Sequence, residues 1–217
     1  MNGNVEVKLK SSKTKVKIKE GMMLYYPSYG PGKITAIEEK ECLGEKILFC
    51  QLDFEKDDLK ISIPVNKMDD MGIRTIISKE NAKKILDNVL NKHAKSAKGI
   101  WTKRIQEYET KLNSGNSIFI AEVVRDLFAG MKDPNKSYGE RVIYEKAFNM
   151  LVSEFAIALN CTMEETNKQI LDVLNANYKK SNIEIAIDKQ DDMDGDFDDD
   201  DIDDIESDKD YDESSVA

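Results

Sequence analysis

A single histidine, His93, and three cysteines, Cys42, Cys50 and Cys161, are all that 217 residues offer of the side chains that most often hold transition metals. The cysteines are odd in number and none is spaced C-x-x-C, so neither a zinc site nor a disulfide framework is expected from them. Such usage suits a reducing compartment. No Ser or Cys stands in a nucleophile signature. The stretch "GPGK" suggests a phosphate loop, but the full pattern needs a glycine where Pro27 stands and a hydroxyl where Ile34 stands. The chain also lacks the apolar core of a signal peptide, and no apolar run approaches the roughly 18 residues needed to cross a bilayer. A non-enzymatic, bacterial-type cytoplasmic protein with no membrane partner is expected. No cofactor and no metal are expected either: Gly195 lies among aspartates, but aligning it with a calcium loop's glycine puts Gln190 at the first ligand position.

What is present is a division of charge. The formal net charge of -10 combines 30 Lys+Arg against 25 Asp+Glu in residues 1–180 with 2 against 17 in residues 181–217. A mildly basic body therefore carries an acidic tail. The tail, taken from residue 179 to 217, is expected to stay disordered because it cannot bury enough apolar surface to offset the entropy of ordering. It either folds back electrostatically on the basic part of the chain or keeps the protein soluble.

Residues 5–19, "VEVKLKSSKTKVKIK", alternate apolar and lysine positions about a Ser-Ser-Lys-Thr break, a pattern for an edge strand or hairpin. The first 15 residues are set apart as a basic extension. Strands are expected at 22–27, 33–41, 46–54 and 59–65, with turns between them. Short antiparallel strands so closely spaced suggest a small, strongly bent barrel. In "YPSYGPGKI", residues 26–34, Gly30 and Gly32 are expected to supply backbone angles that a side chain would forbid, and Pro27 and Pro31 to stiffen the turn.

From Ser78 the apolar period becomes helical, with Ala82, Ile85, Leu86, Val89 and Leu90 on one stripe. A polar linker at 93–99 precedes helices expected at 101–113, 117–131, 138–159 and 163–178. Capping boxes, Ser137 with Glu140 and Thr162 with Glu165, announce the last two. Glu122 and Asp126 share a helical face, where such pairs are ordinarily solvated. Trp101 opens the first of these helices, on a stripe with Ile105, Tyr108 and Leu112, and is followed by Lys103 and Arg104. Periodicity alone leaves two roles open for it, a core anchor or a wedge against base steps with cations holding phosphates.

The order of motifs resembles the CarD/CdnL family of bacterial RNA-polymerase-binding transcription regulators. "IKEGMMLYYPSYGPGKITAIEEKECLGEK" is similar to that family's G-x-x-V-x-Y-P-x-x-G-x-G-x-I opening, and "ISIPVNKMDDMGIR" to its V-P…G-[LV]-R closure. "WTKRIQEYETKLNSGNSIFIAEVVRDL" resembles its W-x-x-R, L-x-S-G and A-E-V-V-R-D-L elements, and Ser137 to Arg141 its S-x-x-E-[RK] helix start. The likeness is collinear over about residues 16–175.

The resemblance implies an α+β chain: a Tudor/SH3-like barrel over 16–77 that docks on the polymerase beta subunit, a helix and linker over 78–99, and an all-α DNA-binding domain over 100–178. It assigns Trp101 to a minor-groove wedge that stabilises the open promoter complex, and Lys103, Arg104, Arg125 and Arg141 to DNA. Glu38, Glu39, Lys40 and Glu41 lie on the docking strand it implies, with Lys60 and Ser62 on a neighbouring strand where the family has an arginine. Promoter DNA would be bound without a defined sequence, by a monomer. A protein-protein adaptor that never touches DNA is the alternative. A repair-coupling motor sharing the docking domain is disfavoured, because the chain has no ATP-binding loop or helicase motif.

Overall fold

A computed structural model of the chain describes residues 5–8, 15–42, 44–55, 58–94, 101–132 and 137–191, with side chains not described at Lys8, Lys15, Trp101, Lys132 and 182–191. The period-two segment at the N-terminus forms an antiparallel hairpin, β1 (Val5–Lys8) against β2 (Lys15–Ile18). Its apolar positions Val7 and Ile18 are buried, so the hairpin packs on the sheet's core.

Five strands follow in one sheet: β3 (Met23–Tyr26), β4 (Gly30–Cys42), β5 (Glu45–Phe54), β6 (Leu59–Pro64) and β7 (Arg74–Thr75). Their order is β6-β5-β4-β3-β7, all antiparallel. The expected barrel is not closed: β6 and β7 remain separate edges. With only two residues, β7 is too short to bridge back to β6 before the chain leaves for the helices.

Alternation assigns Leu24, Ile34, Cys50, Leu52, Phe54 and Ile63 to the sheet's core, joined by Met68 and Ile73. Gly30 has φ +83°, as a turn glycine should. Gly32 serves a different purpose from the one expected. Its Cβ would lie 2.7 Å from the Phe54 ring, so the position is bare because the aromatic occupies the space.

The helical layer begins with α1 (Lys79–Ile85), capped by Ser78, whose hydroxyl accepts from Asn81 N at 3.3 Å, and runs on as a π turn over Leu86–Leu90. Then come α2 (Trp101–Asn113), α3 (Ser117–Phe128) with a 3-10 turn over Ala129–Lys132, α4 (Tyr138–Leu159) and α5 (Met163–Asp191). Helix α5 outruns the end expected at residue 178, its backbone staying helical to Asp191. Asn160, at φ +57°, stops α4 in the left-handed conformation that asparagine tolerates. Ala82, Ile85 and Leu90 join Tyr108, Leu112, Val124, Phe155 and Ile170 in a second core. Tyr25 belongs to that helical core, whereas its neighbour Leu24 serves the sheet's, so β3 feeds both. Among the described residues no helix is long and apolar enough to cross a membrane, and no three His, Cys, Asp or Glu side chains converge as a metal site.

Candidate protein and nucleic-acid interfaces

The β4/β5 hairpin is longer than the strands that flank it. β3 pairs with β4 no further than Lys33, and β6 pairs with β5 only back to Phe49. Beyond those points Ala36–Cys42 and the start of β5 pair only with each other among the described residues, leaving a two-stranded ribbon with free backbone edges. Glu38, Glu39, Lys40 and Glu41 are all exposed on it.

Lys40 lies 3.7 Å from Glu38 and 5.7 Å from the Phe49 ring centre, and Lys46 lies 3.3 Å from Glu39. Exposed pairs of this kind contribute little and exchange readily for a partner's charges. Lys60 and Ser62 stand on β6, with Lys60 3.8 Å from Asp53. Because β5 separates β6 from β4, the docking residues read from the sequence divide between two edges, roughly 10 Å apart at the usual strand spacing.

At the helical end, the first turns of α2 and α4 are tied together. Arg104 donates to the Glu140 carboxylate at 2.9 Å, and Glu140 is buried. Ser137 Oγ caps α4 by accepting from Glu140 N at 3.5 Å, and the Glu140 carboxylate also receives Arg104. The tie gathers exposed Lys103 and half-buried Arg141 near Trp101, whose backbone opens α2; the Trp101 side chain lies outside the described residues. Residues 79–104 carry eight Lys/Arg against two Asp/Glu, with Lys79, Lys83, Lys84, Lys92 and Lys103 exposed.

Arg125 corrects its assignment to DNA. It is 5% exposed, its Nε donates to Asp126 Oδ1 at 2.8 Å, and a terminal nitrogen donates to Val89 O at 3.3 Å. The guanidinium pins α3 to the π turn and is withdrawn from any surface. Nor are the two acids near it a solvated pair: Glu122 lies 3.2 Å from Lys111, and the Asp126 side chain is buried against Arg125.

Between the sheet and the helices lies a polar joint that periodicity did not reveal. Arg74 of β7 donates to both oxygens of Glu154 on α4, one at 2.9 Å, to Ser117 Oγ at 2.9 Å, to Gly115 O at 2.7 Å and to Thr75 O at 3.0 Å. Its guanidinium carbon sits 3.8 Å from the Tyr25 ring centre. Glu154 accepts further bonds from Ser117 Oγ at 2.7 Å and Ile77 N at 3.2 Å. The Tyr25 hydroxyl is held well above its ordinary pKa, chiefly by burial and then by the Glu154 charge, with Arg74 pulling the other way. One sequence signal pointed here: Glu154 is the only charged residue in the apolar run 147–159. A lone carboxylate in such a run needs a buried partner.

Comparison with known proteins follows the same two-part plan. A family model described as "CarD-like/TRCF RID domain" matches residues 18–77, and one described as "CarD, C-terminal domain" matches residues 81–172. The "Putative transcription factor YdeB" of Bacillus subtilis (strain 168) is 29% identical over 146 residues, 67% of this chain and 94% of that protein. The two matched domains define an RNA-polymerase-interacting transcription factor. The chain belongs to the CarD-like family.

Proposed function

We propose that the protein docks on the polymerase beta subunit through the free edge of the β4/β5 ribbon. Its helical layer then contacts promoter DNA at the upstream edge of the melted region, where Trp101 wedges into the minor groove and stabilises the open complex. The observation that carries this reading is the collinear match of both family domains; Trp101 is the first residue of α2, in a strongly basic stretch of the chain.

An unpaired strand edge supplies main-chain hydrogen bonds to a partner strand, while Glu38, Glu39, Lys40 and Glu41 tune the choice of partner. Lys103 and Arg141, with the exposed lysines of α1, neutralise phosphates and give sequence-tolerant, salt-sensitive binding. Arg104 acts through Glu140, holding the α2 start in place for Trp101. Docking raises the local concentration of this weak DNA-binding face. A wedge that binds only melted DNA shifts the population toward it by no more than that differential affinity.

Trp101→Ala tests the reading. Polymerase binding should be retained while open-complex lifetime shortens roughly 5- to 150-fold, the equivalent of the ~1–3 kcal/mol a stacked aromatic contributes. An unchanged lifetime removes the wedge. The adaptor that never touches DNA is favoured by one observation: Arg104 and Arg125 spend their guanidinium groups inside the protein. It requires that DNA leave Trp101 fluorescence unaltered.

A further inference from the structure

We infer that Arg74, Glu154 and Ser117 are positioning residues: a clamp that sets the orientation of the sheet relative to the helices. Once the sheet is docked, that orientation decides where the α2 start stands. The second statement rests on the function proposed above; the first does not.

The buried apolar part of the joint centres on one strand residue. Among the described residues, Tyr25 is the only strand residue whose buried side chain joins the helical core, assisted by half-buried Ile76 and Ile77. Two clefts open beside it. One, of about 740 Å³, lies between Tyr29, Pro31 and Phe54 of the sheet and Ile157, Cys161 and Met163 at the α4/α5 corner. The other, of about 640 Å³, lies between Gly72 and Arg74 on one side and Ser114, Asn116 and Phe119 on the other. Flanked by two open clefts, the joint would be poorly fixed in orientation if only dispersion held it, because apolar contacts are non-directional.

The clamp removes that freedom. Arg74 engages β7, the α2/α3 turn, α3 and α4 with one rigid fork of donors, and Glu154 answers with bonds to Ser117 and to the Ile77 amide. Pro27 locks beneath it, because a Cβ on Gly115 would lie 3.0 Å from its ring and one on Gly72 would lie 3.2 Å away. A rocking motion of an ångström would break several of these bonds at once.

The native thiols provide the test. Cys42 at the ribbon tip and Cys161 at the α4/α5 corner are partly exposed, whereas Cys50 is buried and its thiol is pushed up to about 12. Spin labels on Cys42 and Cys161 of the full chain therefore report the sheet-to-helix distance. A narrow distribution is expected for the parent and a broadened one for Arg74→Lys and Glu154→Gln, which keep size but lose the fork or the charge.

Helical circular dichroism establishes that each variant is folded, and Ser117→Ala, which removes a single hydroxyl, serves if either is not. In unlabelled protein, polymerase capture should persist while open-complex lifetime falls on the order of tenfold, within the usual range for coupling between sites. A role in stability alone would lower capture and lifetime together.

Narrow distances in the folded variants overturn the clamp. Broad distances with an unchanged lifetime overturn its functional half, provided Trp101→Ala shortens that lifetime in the same assay. If Trp101→Ala has no effect either, the proposed function fails and the broadened distances still uphold the clamp.

Discussion

Gly115 shows how one backbone position serves two masters. Its φ of +68° is left-handed, and its missing Cβ makes room for Pro27. Gly115→Ala should cost roughly 1–3 kcal/mol from backbone strain, and more if Pro27 cannot yield; urea denaturation followed by circular dichroism measures the loss. The arginines teach a related lesson. Arg104 and Arg125 look equivalent in sequence, each a cation on an amphipathic helix. Yet one meets buried Glu140 and the other meets Asp126 and Val89 O, so neither stands as exposed as Lys103. Whether a guanidinium faces water depends on what a distant segment brings to it.

At the scale of elements, capping fixes where α4 and α5 begin. At α5 the exchange is reciprocal: Thr162 N donates to Glu165 Oε2 at 3.0 Å and Glu165 N to Thr162 Oγ1 at 3.1 Å. At α4 the corresponding carboxylate also pairs with Arg104 of α2. The bonds from the Thr162 backbone and side chain hold the Glu165 carboxyl below its ordinary pKa of 4.5. A depressed folded value means that the contribution is present above pH 4.5 and lost as pH falls through the folded value. Glu165→Gln should therefore lower the melting temperature at pH 7, and the gap from the parent should close on acidification below 4.5. A gap that stays constant with pH would remove the charge from the account. The β4/β5 ribbon is the other element whose length matters, since the edge proposed for docking exists only because β3 and β6 stop short of it.

For the whole molecule, the joint makes the two matched domains poor candidates for separation. A cut after residue 93 would leave Arg74 and α1 on one fragment and Glu154 and the remaining core on the other. Stranding one partner of a buried ion pair costs about 3–5 kcal/mol. Docking is better tested by substitution in the full chain. The tail is a different matter. Removing residues 192–217 deletes fourteen Asp/Glu and one Lys without touching Ser181, whose hydroxyl lies 2.7 Å from His93 Nδ1. If the tail competes electrostatically with DNA, truncation should tighten DNA binding most at low salt, with the advantage fading as screening rises. Fluorescence anisotropy across a salt series checks this, and equal affinities at low salt would discard the competition.

Local physics made much of this protein legible from its residues. Alternation marked β3 to β6 to within a few positions, and the 3.6-residue period with its caps marked α2 at 101–113 and α4 at 138–159. Both properties depend on neighbours in the chain. The open sheet, the burial of Arg125, the Arg104–Glu140 pair and the Arg74–Glu154 joint were decided only by tertiary structure. Each depends on a partner between 36 and 80 residues away or on a strand too short to close a barrel. Hydrophobic pattern specifies which face turns inward; it carries no record of which buried charge will meet which, because that pairing is set by packing of whole elements.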